Sequence, residues 1–148
     1  MQSVNRFVPD AANALRAADA AAITTDTAIS AGALVSPIGA IWNDAAKDGK
    51  VVLFFKTSDI FDDNGDETYT IEVITSAASN LGTPTVHLSH VLKDGGSGAE
   101  DVWHEIIVDQ HSLLKAAPTH KYWGVNINVA GTDPSLKVEM YLLPPVGL

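Results

Sequence analysis

Along most of the chain, apolar and polar side chains alternate with a period of two, in short runs separated by Gly, Pro, Asn and Asp. That period puts successive side chains on opposite faces of an extended backbone, so each run predicts a strand with one face toward a core. "TYTIEVIT", Thr68 to Thr75, turns Tyr69, Ile71 and Val73 inward. "YWGVNINV" does the same with Trp123, Val125, Ile127 and Val129, and "LKVEMYL" with Leu136, Val138, Met140 and Leu142. "TVHLSHVL" is expected to bury Val86 and Leu88, and "ITTDTAI" to align Ile23, Thr25, Thr27 and Ile29 on one face. "VWHEIIVD" supplies a further strand, and "KVVLFFK", Lys50 to Lys56, is an unbroken apolar run that predicts a central strand covered on both sides. Strands at this even spacing, without strand-helix alternation, predict an all-β fold, an antiparallel β-sandwich.

Residues 1–22 break the pattern. They are Ala-rich and nearly free of β-branched residues, with Leu15 and the following Ile23 as the main packing candidates. The expected organisation is an N-terminal arm over 1–22 and a sandwich domain over 23–148. The arm gains structure by lying on another surface, or as a short helix docked on its own sandwich.

Composition narrows the function. The 148 residues are 46% hydrophobic and 18% charged, which suits one domain with its own core. Nine basic against eighteen acidic side chains give a formal charge of −9, which argues against nucleic acid as a partner. The absence of cysteine excludes disulfides, zinc-thiolate sites and thiol catalysis. No run approaches the length of a membrane span, and Asp10, Arg16 and Asp19 interrupt the N-terminus, so no membrane partner and synthesis as a soluble cytoplasmic protein are expected.

The acidic stretch "SDIFDDNGDETYTIEV" invites a calcium reading. Aligning Gly65 with the sixth position of a calcium loop puts Ile60 first and Ile71 twelfth, where oxygen donors are required. Asn64-Gly65 instead has turn chemistry, with Asp62, Asp63, Asp66 and Glu67 expected in solvent. His87 and His90, three apart on a strand, are expected on opposite faces, as are the neighbours His104 and Glu105. His111 and His120 flank a loop with one helical turn. "DGGSGAEDVW" lacks the Lys of a phosphate-binding loop and reads as a hairpin tip, and no GxSxG elbow occurs. No catalytic residue, cofactor or metal ligand is therefore expected, and the protein is not expected to be an enzyme. Trp123 belongs to the core, whereas Trp42 either covers one end of the core or docks a neighbour.

"TYTIEVITSAASNLGTPTVH" and "KYWGVNINVAGTDPSLKVEMYLLP", with the arm and the first strand "TDTAISAG", resemble the jelly-roll capsid cement (decoration) proteins of tailed bacteriophages over about residues 22–145. The resemblance implies a jelly-roll sandwich without enzymatic activity. Such a protein binds the outer capsid surface of a virion, bridges neighbouring capsomers and stabilises the shell. The implied partners are the major capsid protein and the chain itself, a homodimer favoured and a homotrimer possible. In that setting Phe7, Val8 and Leu15 are the expected apolar anchors of the arm, Arg6 and Arg16 its charge partners, and Trp42 a further contact. The rival reading is a carbohydrate- or receptor-binding sandwich, for which Trp103 and Tyr122 are the available aromatic pair. A cupin-type enzyme would need spaced histidines that the strands do not supply.

Overall fold

The computed structural model describes residues 14–34, 49–61, 63–94 and 101–143. Eight strands and one helix follow in chain order: β1 (Ala14–Arg16), β2 (Thr27–Ala33), β3 (Lys50–Ile60), β4 (Thr68–Ser76), β5 (Thr85–Asp94), β6 (Trp103–Asp109), α1 (Gln110–Ala116), β7 (Tyr122–Ala130) and β8 (Leu136–Leu143). They form two four-stranded antiparallel sheets, ordered β1-β8-β3-β6 and β2-β7-β4-β5. Consecutive strands thus fall in different sheets at several crossings, the double Greek-key order of a jelly roll. The all-β antiparallel sandwich expected from the sequence is the fold.

The core is made by the strands whose alternation was clearest. Tyr69, Ile71 and Val73 of β4, Trp123, Val125 and Ile127 of β7, and Leu136, Val138, Met140 and Leu142 of β8 are buried together. Val51, Leu53 and Phe55 of β3 meet them from the first sheet, and Val52 on the opposite face of β3 is buried in a second cluster with Tyr141 and Leu143. β3 is central in its sheet, between β8 and β6, but the expected cover on both faces is only partial: the inner face meets the other sheet, while on the outer face Val52 is buried and Phe54 half-buried.

One strand lies within the segment expected to be the arm. Residues 14–16, placed in the arm by composition, form β1 on the edge of the first sheet, with Ala14 opposite Tyr141 and Arg16 opposite Met140. Three residues carry too little pattern to announce a strand, and it is the free edge of β8 that recruits them. "ITTDTAI" is divided: Ile23 bridges Leu136 in the first sheet, while β2 starts at Thr27 in the second. Its four residues therefore do not share one face. Gly124 permits the close pairing of β7 with β2, since a Cβ there would lie 2.3 Å from the Ile29 carbonyl oxygen. The segment expected to hold one helical turn is α1, capped at its start by Asp109, whose Oδ1 accepts from the His111 N–H at 3.0 Å.

Candidate interaction surface

The acidic loop is a built corner of the sandwich. Gly65 takes φ +74°, as turn chemistry requires. Asp66 then accepts from the Thr132 N–H at 3.0 Å and its hydroxyl at 2.9 Å, while the Asn64 amide donates to the Thr132 carbonyl at 2.9 Å. Gly131 permits this approach, because a Cβ there would lie 2.6 Å from the Glu67 Cα. Asp63 and Asp66 are exposed, but the expectation that Glu67 is solvated fails: it is fully buried, with its Oε1 accepting from the Asn64 N–H at 3.3 Å. Folding of this loop onto the β7–β8 turn carries Glu67 inside. Asp62 lies outside the described residues. Among the described residues no group of three or more His, Asp or Glu side chains converges as a metal site would need.

The histidines depart most from expectation. On a regular strand His87 and His90 would face opposite ways, but β5 carries an extra residue where Val73 faces Leu88 and the next residue, Ile74, faces Val86. This bulge turns His87 to the same side as His90. Both reach the space between the sheets. The Thr75 hydroxyl lies 2.7 Å from His87 Nε2 and 2.7 Å from His120 Nδ1. Further along, His90 Nε2 meets His104 Nδ1 at 3.2 Å, and the His104 ring stacks on Phe55 with centroids 5.2 Å apart. The His90–His104 bond needs one lone pair and one N–H, so at least one ring of that pair is neutral. Burial first, and the facing His120 second, holds His87 below the ordinary histidine value; burial and then His90 do the same to His104.

These pairs line one lateral flank of the sandwich, where the edge strands β5 and β6 face each other. Beside them a cleft of ≈ 330 Å³ opens between β5, β6 and α1, walled by Leu88, Ile107, Leu113 and Ala116, with His87, Asp109 and Ser112 at its polar part. Val86 and Leu88, expected in the core, are exposed here, because the bulge and the edge position of β5 take them away from the second sheet's packing partners. Among the described residues, the large hydrophobics that stand out into solvent are Val86, Leu88 and Val91 of β5, Trp103 and Ile107 of β6, and Val102 just before it. By register Val86 and Val91 lie on the outer side of the second sheet, opposite Ile74 and Thr70, whereas Trp103 and Ile107 lie on the outer side of the first, opposite Lys56 and Val52.

Around the corner, the outer face of β6, β3 and β8 carries an aromatic and charged network. Trp103 lies parallel to Phe54, with centroids 4.4 Å apart and planes 7° from parallel, and the Lys56 ammonium sits 5.3 Å from the indole centroid. Lys56 also pairs with Glu139 at 3.4 Å, and the Tyr141 hydroxyl donates to the same carboxylate at 2.8 Å. Burial, reinforced by that hydrogen bond and the carboxylate charge, pushes the Tyr141 phenol up to about 12. Trp103 and Tyr122 do not form the expected sugar-binding pair: Trp103 belongs to β6 in one sheet and Tyr122 to β7 in the other. Trp123 is buried in the core as expected.

Of the expected contact residues, Arg6, Phe7, Val8 and Trp42 lie outside the described residues. Leu15 packs against the core, and the Arg16 guanidinium, half-buried on β1, donates to the Ala21 carbonyl. Sequence reasoning missed the flank because its signal lies in pairing: the residues of the His90–His104 contact are 14 apart in the chain and those of Thr75 and His120 are 45 apart.

What the fold and surface define, among the described residues, is an eight-stranded jelly roll with exposed apolar side chains on its edge strands β5 and β6, a form suited to protein–protein contact. Comparison with known proteins finds no matching family model, no matching curated protein and no matching solved structure.

Proposed function

We propose that the protein is a capsid decoration protein of the tailed-phage type, without enzymatic activity, which binds the outer surface of a shell and bridges its subunits. The observation that carries this reading is a jelly roll whose edge strands β5 and β6 carry exposed large apolar side chains while the chain as a whole is strongly acidic. The resemblance of its strand and turn order to cement proteins supplies the particular setting, a virion with the major capsid protein as partner. A sheet scaffold that offers several weak contacts holds a shell well, because each later contact forms at high effective concentration once the first is made. The −9 charge disfavours the packaged nucleic acid and leaves the outer surface as the place of action.

Co-sedimentation of the purified chain with particles from its source lysate tests the reading. Saturable pelleting at a fixed ratio to the major shell protein is expected; a chain left in the supernatant with both immature and expanded shells overturns it. The role of the arm is tested by deleting residues 1–13 and no further, since β1 begins at Ala14. Occupancy should fall while the fold persists, and unchanged occupancy would remove Arg6, Phe7 and Val8 from the contact.

A further inference from the structure

We propose that the β5–β6 edge is an acid-released seam: protonation of the His90–His104 pair parts the two sheets there, while the β1–β2 edge stays closed. The inference concerns the isolated chain and does not rest on the capsid reading.

The histidines are unevenly spread. All five lie after residue 86, and none occurs in β1, β2, β3 or β4. His90 is on β5 of the second sheet and His104 on β6 of the first, so the bond between His90 Nε2 and His104 Nδ1 at 3.2 Å crosses from sheet to sheet. Both strands are outer ones with a single ladder each, β5 on β4 and β6 on β3. A bond between two such edges guards the step at which either would peel away.

Its proton count ties that bond to neutral rings. One ring gives an N–H and the other a lone pair. His104 Nε2 is buried without a hydrogen-bond partner, and a buried N–H without an acceptor is costly. The neutral His104 therefore carries its proton on Nδ1 and donates to His90. A further proton has no place in this arrangement. On His104 it makes an N–H at Nε2, where no acceptor stands; on His90 it sets two N–H groups face to face at 3.2 Å.

The surroundings do not offset the added charge. Phe55 stacks on His104 and meets His90 edge-on at 5.7 Å, Ile71 faces His90 in register, and Leu88, Leu92 and Ile106 flank the pair along β5 and β6. None of these titrates. Of the charged residues nearby, Glu105 is in register with Phe54 on the outer face, Lys56 and Asp101 pair with each other at 4.0 Å, and Lys93, in register with Tyr69, adds positive charge. The neighbouring cluster leans the same way. The Thr75 hydroxyl has one proton and lies 2.7 Å from both His87 Nε2 and His120 Nδ1, so that proton is used only if one ring presents a lone pair. Asp109 shares the cleft with His87, and Lys121 follows His120. Burial, and then the facing ring, hold His87 and His104 below the ordinary value of 6.5, in accord with this geometry. The neutral arrangement is thus complete above pH 6.5 and lost as pH falls below it. The opposite edge, closed by Leu15, Ile23 and Leu34, contains no histidine.

The test is hydrogen exchange of the full chain between about pH 7.5 and about pH 5.5, corrected for intrinsic rates. Ladder amides of β5 and β6 should open up to about tenfold more readily per pH unit below 6.5 for each proton taken up, while those of β2, β7 and β8 keep their protection. His104→Phe keeps a ring on Phe55 and should flatten that dependence to the contribution of His87 and His120. His111→Gln, exposed on α1, should behave as wild type. Nitrogen-15 spectra of the wild type at neutral pH should show His104 protonated at Nδ1 and bare at Nε2, a readout that holds even where the Phe variant does not fold. A proton on His104 Nε2 overturns the proposal. So does edge protection that is independent of pH, equal loss at both edges, or a folded His104→Phe chain that keeps the wild-type dependence.

Discussion

The two lateral flanks of the sandwich are made of the same material, edge strands of the two sheets, and end in opposite conditions. On the β1–β2 side the gap between sheets is closed from within. Leu15 packs on the core, Ile23 bridges Leu136, Leu34 and Ala31 are buried, and Asp26 Oδ1 accepts from the Val129 N–H at 2.9 Å. On the β5–β6 side the gap is filled by histidine pairs around Phe55, and large apolar side chains point outward beside an open cleft. An edge can thus be finished by internal packing or left for a partner. The difference arises from side-chain size and from the two added residues of β5, His87 and Leu92.

The largest test of this contrast removes what both flanks lean on. Phe55→Ala deletes a fully buried ring that also supports His104, and should cost about 3–5 kcal/mol in chemical denaturation. A loss below 1 kcal/mol would mean that the flank does not rest on the core as described. Next comes Gly124→Val, where the added side chain meets the Ile29 carbonyl and Leu81 on the closed flank. It should cost about 1–3 kcal/mol, with hydrogen-exchange protection lost first along β2; uniform loss across both sheets would refute the local clash.

Smaller effects separate the flanks directly. Leu15→Ala on the closed side should cost about 1–2 kcal/mol, because its half-buried side chain packs on the core. Val91→Thr on the open side should leave monomer stability within about 0.5 kcal/mol. Equal losses, measured where the chain is monomeric, would erase the distinction between them.

The histidines add a pH signature that belongs to the open flank. His87 and His104 have folded values below the ordinary 6.5, so the unfolded chain takes up these protons more readily. Their stabilising contribution is complete above pH 6.5 and drains as pH falls below it. The denaturation midpoint should therefore drop on the acid side, and His104→Gln should flatten that slope whatever it does to stability at neutral pH. A slope identical to wild type would show that His104 titrates alike in both states.

Much of this architecture was legible in the chain because alternation is a local property. Tyr69, Ile71 and Val73, or Trp123 and Val125, announce their inward face within a few residues, and neighbours on adjacent strands only confirm it. The acidic turn was legible for the same reason, through Asn64-Gly65 and the missing donors at Ile60 and Ile71. Glu67 was not, since its burial depends on Gly131 and Thr132 more than sixty residues away.

What the sequence by itself determined is the class: an acidic, cysteine-free chain of antiparallel strands, one of them built on an unbroken apolar run from Val51 to Phe55. What only the tertiary structure decided is how the strands' edges are spent. A three-residue strand has too few contacts to form until β8 offers its edge, so β1 appears only when the first sheet is assembled. A bulge is a relation between two strands, and neither β4 nor β5 carries it alone. Its one added residue turns His87 inward, and the edge position of β5 leaves Val86, Leu88 and Val91 facing water, because side-chain direction follows pairing register and burial follows the layer that lies opposite.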